Sequence, residues 1–136
     1  MKVMCTSKDA KALGMFYPTL TPTDAKNLFI PLTIGKTYVV YALAIKDGQI
    51  LYYLSDDDDL YYPKGWPASL FRVSDPRLPS CWVYAFTPKH LDHDALFAFR
   101  EWTSDPYFYD RLTDRAESEL SLFERMKMIM IEEANS

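Results

Sequence analysis

Residues 32–45 read Leu-Thr-Ile-Gly-Lys-Thr-Tyr-Val-Val-Tyr-Ala-Leu-Ala-Ile, an alternating run rich in β-branched and aromatic side chains, and residues 50–54 continue in the same character. Between them stands Lys46-Asp47-Gly48-Gln49, and Asp-Gly between two such runs suits the positive φ angles of a tight hairpin turn. The pattern predicts a hairpin at the centre of the chain. Residues 2–6 predict a short first strand, and the stretch on to Asn27 mixes Ser, Asp, Gly, Pro and Thr with isolated aromatics such as Phe16 and Tyr17. That mixture predicts a long loop carrying at most a short hairpin of its own. After the acidic run at 56–59, Tyr61 and Tyr62 are expected to resume extended structure. A short turn follows Trp66, a strand starts at Phe71, and the alternation of residues 82–86 predicts a final strand.

Beyond Phe86 the period becomes helical. Leu96, Phe99 and Trp102 share one face of a helix opening at Thr87-Pro88 or at Asp92, both acceptable starts for a first turn. A second start at Asp105-Pro106 leads into Phe108, Leu112, Ala116, Leu120, Phe123 and Met130 at helical spacing, with Asp114 and Glu117 as an internal capping box. This predicts an amphipathic helix or helix pair of up to about 28 residues. The tail Met126-Lys127-Met128-Ile129-Met130-Ile131 is apolar nearly all round, so it should pack on the rest of the fold or on another molecule.

Composition sharpens this picture. A chain of 136 residues that is 49% hydrophobic can bury one core without metal or disulfide staples. Ten Tyr and three Trp are more large rings than one small core hides, so some are expected at the surface and available for contacts. Four Gly against nine Pro, with no low-complexity tract or internal repeat, point to short rigid turns. No apolar run follows Met1 as in a signal peptide, and none approaches the roughly 18 residues of a membrane span. The expected setting is therefore the cytoplasm, with Cys5 and Cys81 as free thiols. The net charge of −4 is uneven: residues 1–88 hold nine Lys/Arg against eight Asp/Glu, and residues 89–136 hold six against eleven.

The order of motifs resembles that of small bacterial and phage SH3-like barrel proteins. The segments that carry the likeness are Lys2-Val3-Met4-Cys5, then Leu32 through the Gly35-Lys36-Thr37-Tyr38-Val39-Val40 strand, Tyr52-Tyr53-Leu54, the acidic turn, and Trp66-Pro67-Ala68-Ser69-Leu70-Phe71-Arg72-Val73. The resemblance implies an α+β chain: an SH3-like small antiparallel β-barrel over residues 1–86, then C-terminal amphipathic helices over 87–136 packed on it as one compact unit. In the barrel Gly35 would permit a tight entry, while Tyr38, Val40 and Phe71 would point inward. The helical addition, with Trp102, Phe108-Tyr109-Asp110, Leu112 and Phe123, resembles that of immunity proteins encoded beside polymorphic toxins.

The residues themselves offer little for catalysis. His90, Asp92, His93 and Asp94 form the one cluster of metal-ligand types, but no third ligand follows at a useful spacing, and Asp92 and Asp94 suit a helix N-terminus. Asp56, Asp57, Asp58 and Asp59 lack the alternation, central Gly and closing Glu of a calcium loop, and four adjacent carboxylates read as a solvated tip. No Cys stands near a His in sequence, and there is no Gly-x-Ser-x-Gly elbow or phosphate-cradling glycine loop. The expectation is therefore a non-enzyme with no catalytic residues, metal or cofactor.

Tyr52, Tyr53, Tyr61, Tyr62 and Trp66 flank the four aspartates, and all five are expected to be exposed. This suits a basic protein surface, with the rings as anchors and the carboxylates steering encounter. The alternative is that the tyrosines simply fill the core. The leading functional reading is a protein-binding module, an immunity protein that neutralises a basic toxin domain. An SH3-like nucleic-acid-binding or regulatory module is the second reading, to be recognised by a joint Lys36, Lys46, Lys64 and Arg72 face, although aspartates beside the rings disfavour nucleic acid. A homodimer sealed by the C-terminal helix is compatible with either.

Overall fold

The computed structural model describes residues 1–9, 11, 29–86 and 93–136. Among the described residues eight strands, β1 (Lys2–Cys5), β2 (Thr37–Val39), β3 (Ala42–Lys46), β4 (Gln49–Leu54), β5 (Lys64–Pro67), β6 (Phe71–Asp75), β7 (Trp82–Phe86) and β8 (Ala95–Phe99), build two antiparallel sheets. The smaller sheet has the order β2-β1-β6 and the larger β5-β4-β3-β8-β7. Three helices follow: α1 (Arg100–Thr103), α2 (Phe108–Thr113) and α3 (Glu117–Ala134). The chain is thus α+β, with the two sheets left open rather than joined in one closed ladder.

The run 32–45 is not one strand. Its alternation holds, but Val40 N–H donates to the Met1 carbonyl (3.1 Å) in the small sheet while Tyr41 N–H donates to Tyr53 (2.8 Å) in the large one. The chain changes sheets between neighbouring residues, so β2 and β3 belong to different ladders. The Asp47-Gly48 hairpin forms as expected, with φ of 49° and 77° and Lys46 opposite Gln49. A single 3-10 turn at Ala68–Leu70 links β5 to β6, which returns to pair with β1.

Residues 95–99 depart from expectation: Ala-Leu-Phe-Ala-Phe is strand β8, paired with both β3 and β7. Spacing of three between Leu96, Phe99 and Trp102 mimics a helix face, but five consecutive apolar residues also describe a central strand buried on both sides. β7 is therefore not the last strand, and segment 87–136 contributes to the sheet before turning helical at Arg100. The later helix is a pair broken at Arg115, whose φ is +65°. Ala116 takes the N-cap of α3 with no side-chain cap bond, so the Asp114/Glu117 capping box does not form.

The large sheet has a core on each face. Val3, Cys5, Tyr38, Val40, Tyr52, Leu54, Trp66, Leu70 and Phe71 fill the space between the sheets. Tyr41, Ala42, Ala44, Leu96, Ala98, Phe99, Trp102, Phe108, Leu112, Phe123 and Met130 fill the space beneath the helices. Alanines at 42, 44 and 98 leave room for aromatic side chains from above: Phe123 meets Tyr41 edge-on at 5.8 Å. The end of α3 is tied down as well, since the Arg77 guanidinium reaches the Ala134 and Ser136 carbonyls and Glu133 accepts from Ser80 N–H (2.7 Å) and Oγ (2.6 Å). Among the described residues no helix is long and apolar enough to cross a membrane.

Phe123 is 1% exposed, so Phe123→Ala should cost about 3–5 kcal/mol of unfolding free energy. Urea titration followed by circular dichroism checks this, and a loss under about 1 kcal/mol would mean that α3 is not part of the core.

Candidate partner-binding face

The four aspartates follow β4, and each has a different fate. Asp56 is buried: its Oδ2 accepts from Trp66 Nε1 (3.2 Å) and pairs with Lys64 Nζ (3.1 Å), its Oδ1 accepts from Asp58 N–H (3.0 Å), and its carbonyl accepts from Asp59 N–H (3.0 Å). Asp57 reaches back across the small sheet and accepts from Thr33 Oγ1 (2.6 Å), Lys36 Nζ (2.7 Å) and Tyr38 OH (2.9 Å). The Lys36 ammonium, then the Thr33 and Tyr38 hydroxyls, hold the Asp57 carboxyl below its ordinary value, and the same bond raises Lys36. Asp58 keeps a looser ion pair with Lys64 (3.4 Å), and Asp59 projects at φ 49°. The expected solvated tip is therefore wrong for Asp56, which is buried, and right for Asp57, Asp58 and Asp59, which are exposed, although Asp57 also fastens the loop. Cations and donors already within reach offset the mutual repulsion.

The aromatic flank is also divided. Trp66 is buried in the core between the sheets, its N–H turned to Asp56. Tyr53 lies on the opposite face of the large sheet and packs edge-on against Trp102 and Tyr109, both at 5.4 Å. Tyr61 and Tyr62 sit in a bend rather than a strand, half-buried and edge-to-face at 4.8 Å. The Tyr61 hydroxyl donates to the Thr113 carbonyl at the end of α2, and the Arg115 guanidinium lies 4.6 Å above the Tyr61 ring. The core-filling reading thus holds for Trp66 and largely for Tyr53, while Tyr61 and Tyr62 dock the loop against α2.

What the sequence concealed is the contribution of α2 itself. Tyr109 stacks flat on Trp102 (5.7 Å, 8° between planes) and donates its hydroxyl to the Pro63 carbonyl at 2.7 Å. Tyr109 and Thr113, one helical turn apart, close a cleft of about 380 Å³ whose other walls are Tyr62, Lys64, Gly65 and Trp66. A Cβ at Gly65 would lie 3.2 Å from the Tyr53 ring behind it, so that ring would have to give by a few tenths of an ångström. No local pattern places a helix 46 residues later on the Pro63 carbonyl.

No protein-family model matches the chain, and no similar curated protein or solved structure was found. The site has to be judged on its own chemistry.

Outside this face, His90 and Asp92 lie beyond the described residues, and the described residues hold no group of three potential metal ligands. Asp94 instead accepts from Asp47 N–H (3.0 Å) and donates its own N–H to Ile45 (2.7 Å), fastening the hairpin turn. Cys5 and Cys81 are free, and burial pushes both thiols up, which makes them poorer nucleophiles at neutral pH. Of the four cations named for a basic face, Lys36 and Lys64 are neutralised by the aspartate loop, and Arg72 lies over the Met4 sulfur.

The Asp57 network yields a pH test. Its folded value lies below the unfolded one, so its contribution is complete above about pH 4 and fades as pH falls through the folded value. Asp57→Asn should cost about 1–2 kcal/mol at neutral pH, and the gap from wild type should close in acid. Asp59→Asn, at an exposed left-handed position that Asn accepts, should stay within about 0.5 kcal/mol. Chemical denaturation at several pH values distinguishes the two.

Proposed function

We propose that this chain is a non-enzymatic protein-binding module, an immunity-type inhibitor that engages a basic partner through the Asp58–Asp59 tip and the adjoining aromatic cleft. The observation that carries the reading is the division of labour in the loop. Asp56 and Asp57 fix its conformation, Asp58 pairs with Lys64 in the wall of the cleft shared by Tyr62 and Tyr109, and Asp59 is left exposed. A preorganised acidic tip raises the rate of encounter with a cationic surface, and rigid rings beside it offer anchoring area at low entropic cost. Asp110 and Asp114 are exposed on and just after α2 and extend the acidic field around the same seam.

The SH3-like reading of the framework is supported by strand order. β1 pairs with β6, one segment bends from the small sheet into the large at Val40–Tyr41, and a 3-10 turn joins β5 to β6. Such a framework does not by itself specify a ligand. The nucleic-acid reading loses ground because Lys36 and Lys64 are tied to carboxylates instead of forming a positive groove. The proposal places the chain in the cytosol, where its two free thiols would remain reduced.

Co-expression with the product of the adjacent toxin gene should give a complex that survives purification. Its affinity should fall with added salt, and the Asp58→Lys/Asp59→Lys variant should associate ~10-fold more slowly or worse, with its dissociation rate less affected. Stopped-flow association rates read this directly. No co-purifying toxin, or association indifferent to both salt and charge reversal, would overturn the proposal.

A further inference from the structure

β7 is the outermost strand of the large sheet, and among the described residues nothing pairs with its free edge. Its sequence, Trp82-Val83-Tyr84-Ala85-Phe86, has no charge, no proline and no glycine. Exposed edges in monomeric proteins are usually guarded by charges, proline, bulges or shortness, and the other outer strands here conform. β6 carries Arg72 and Asp75, β5 carries Lys64 and Pro67, and β2 is three residues long. β7 lacks every such guard. Tyr84 and Phe86 are 58% and 62% exposed.

The face behind this edge is apolar as well. The ladders align Tyr84 with Phe97 and Leu43, and Phe86 with Ala95, Ile45 and Ile50. The small sheet covers the β4 end of the first row, where Tyr52 pairs with Leu43 and is 6% exposed, but leaves Tyr84, Phe86 and Ile50 open. Tyr84 and Phe97 touch at 5.0 Å between ring centroids, forming an aromatic step that ends at the free edge.

We propose that β7 is a self-association strand, through which two copies of this chain pair antiparallel about a two-fold axis at Tyr84. In that register Tyr84 faces its own copy, Val83 faces Ala85, and Trp82 faces Phe86, so all five residues find apolar partners and the sheets merge into one of ten strands. Charge favours a second copy as the occupant. The chain carries −4 overall, and two such molecules repel wherever acidic surfaces meet, whereas neither β7 nor β8 contains an Asp, Glu, Lys, Arg or His. Area sets the strength. With rings of about 200 Å² each, the four exposed aromatics supply roughly 500 Å². Main-chain pairing brings the total toward the ~1,000 Å² minimum of a specific interface, which makes the dimer a weak, concentration-dependent one. Since β5, beside the cleft, lies at the opposite edge of the sheet, pairing through β7 would leave both acidic faces open.

Sedimentation equilibrium of the full chain, from low to high micromolar concentration, should show a reversible monomer–dimer equilibrium. Tyr84→Lys, a change at an exposed side chain, should weaken association ~10-fold or more by setting two ammonium groups face to face. It should keep the wild-type thermal midpoint of the monomer. Mixing Tyr84→Lys with Tyr84→Glu should restore a one-to-one dimer, an outcome that misfolding cannot imitate. A wild-type chain that stays monomeric throughout overturns the proposal. So does a dimer that ignores Tyr84→Lys and dissociates on Met128→Lys/Ile129→Lys, which would move the interface to the exposed pair on α3.

Discussion

At Val40–Tyr41 the backbone changes its hydrogen-bonding partner from Met1 to Tyr53 within one residue, and the two-sided architecture follows from that exchange. A single straight strand from Leu32 to Ile45 would hold one ladder and bury one alternate set of side chains. Because the chain turns instead, Tyr38 and Val40 enter the core between the sheets while Tyr41, Ala42 and Ala44 enter the core beneath the helices. Both residues at the bend are buried with their N–H groups satisfied, which removes the cost that an unpaired main-chain group would impose there.

The second core determines what the surface can do. Alanine at 42, 44 and 98 lowers the floor of the large sheet on that side, and large rings fill the space: Phe99, Trp102, Phe108 and Phe123 pack into it. Trp102 then carries Tyr109 on its face, and Tyr109 reaches the Pro63 carbonyl in the loop that leaves the aspartate run. A chain of contacts therefore leads from small side chains in β3 to the position of the acidic tip. The loop is held from below by this aromatic stack and from the side by Lys36, Tyr38 and Thr33, so its two outward carboxylates sit on a rigid support.

Much of the framework was readable because its signals are local. The Asp47-Gly48 turn, the β1 segment, the turn after Trp66 and the strand from Phe71 depend on neighbours within a few residues. Residues 95–99 satisfy two periods at once, and only pairing with β3 and β7 makes them strand β8 rather than a helix. The helix break at Arg115 was hidden for a similar reason: its left-handed backbone is held by tertiary fit, including the guanidinium over Tyr61. Of the eight residues expected to meet a partner, Asp57, Asp58, Asp59, Tyr61 and Tyr62 keep surface, Asp57 while also fastening the loop. Asp56, Tyr53 and Trp66 serve as support. Sequence adjacency located the region but could not rank its members, because Thr33, Lys36, Tyr38 and Tyr109 arrive from other elements.

That ranking matters for how a row of carboxylates can persist in a stable loop. Four adjacent like charges cost stability unless the fold supplies compensation, and here compensation is graded from first to last. Asp56 has an ion pair and an indole donor in a buried setting, Asp57 has an ammonium and two hydroxyls, Asp58 has a shared lysine, and Asp59 has solvent. The unneutralised charge therefore falls on Asp58 and Asp59, both exposed. A cationic partner meeting this tip would supply compensation that the fold withholds from Asp58 and Asp59. Binding and loop stability would then be coupled through the same four side chains, with the inner pair setting the geometry in which the outer pair acts.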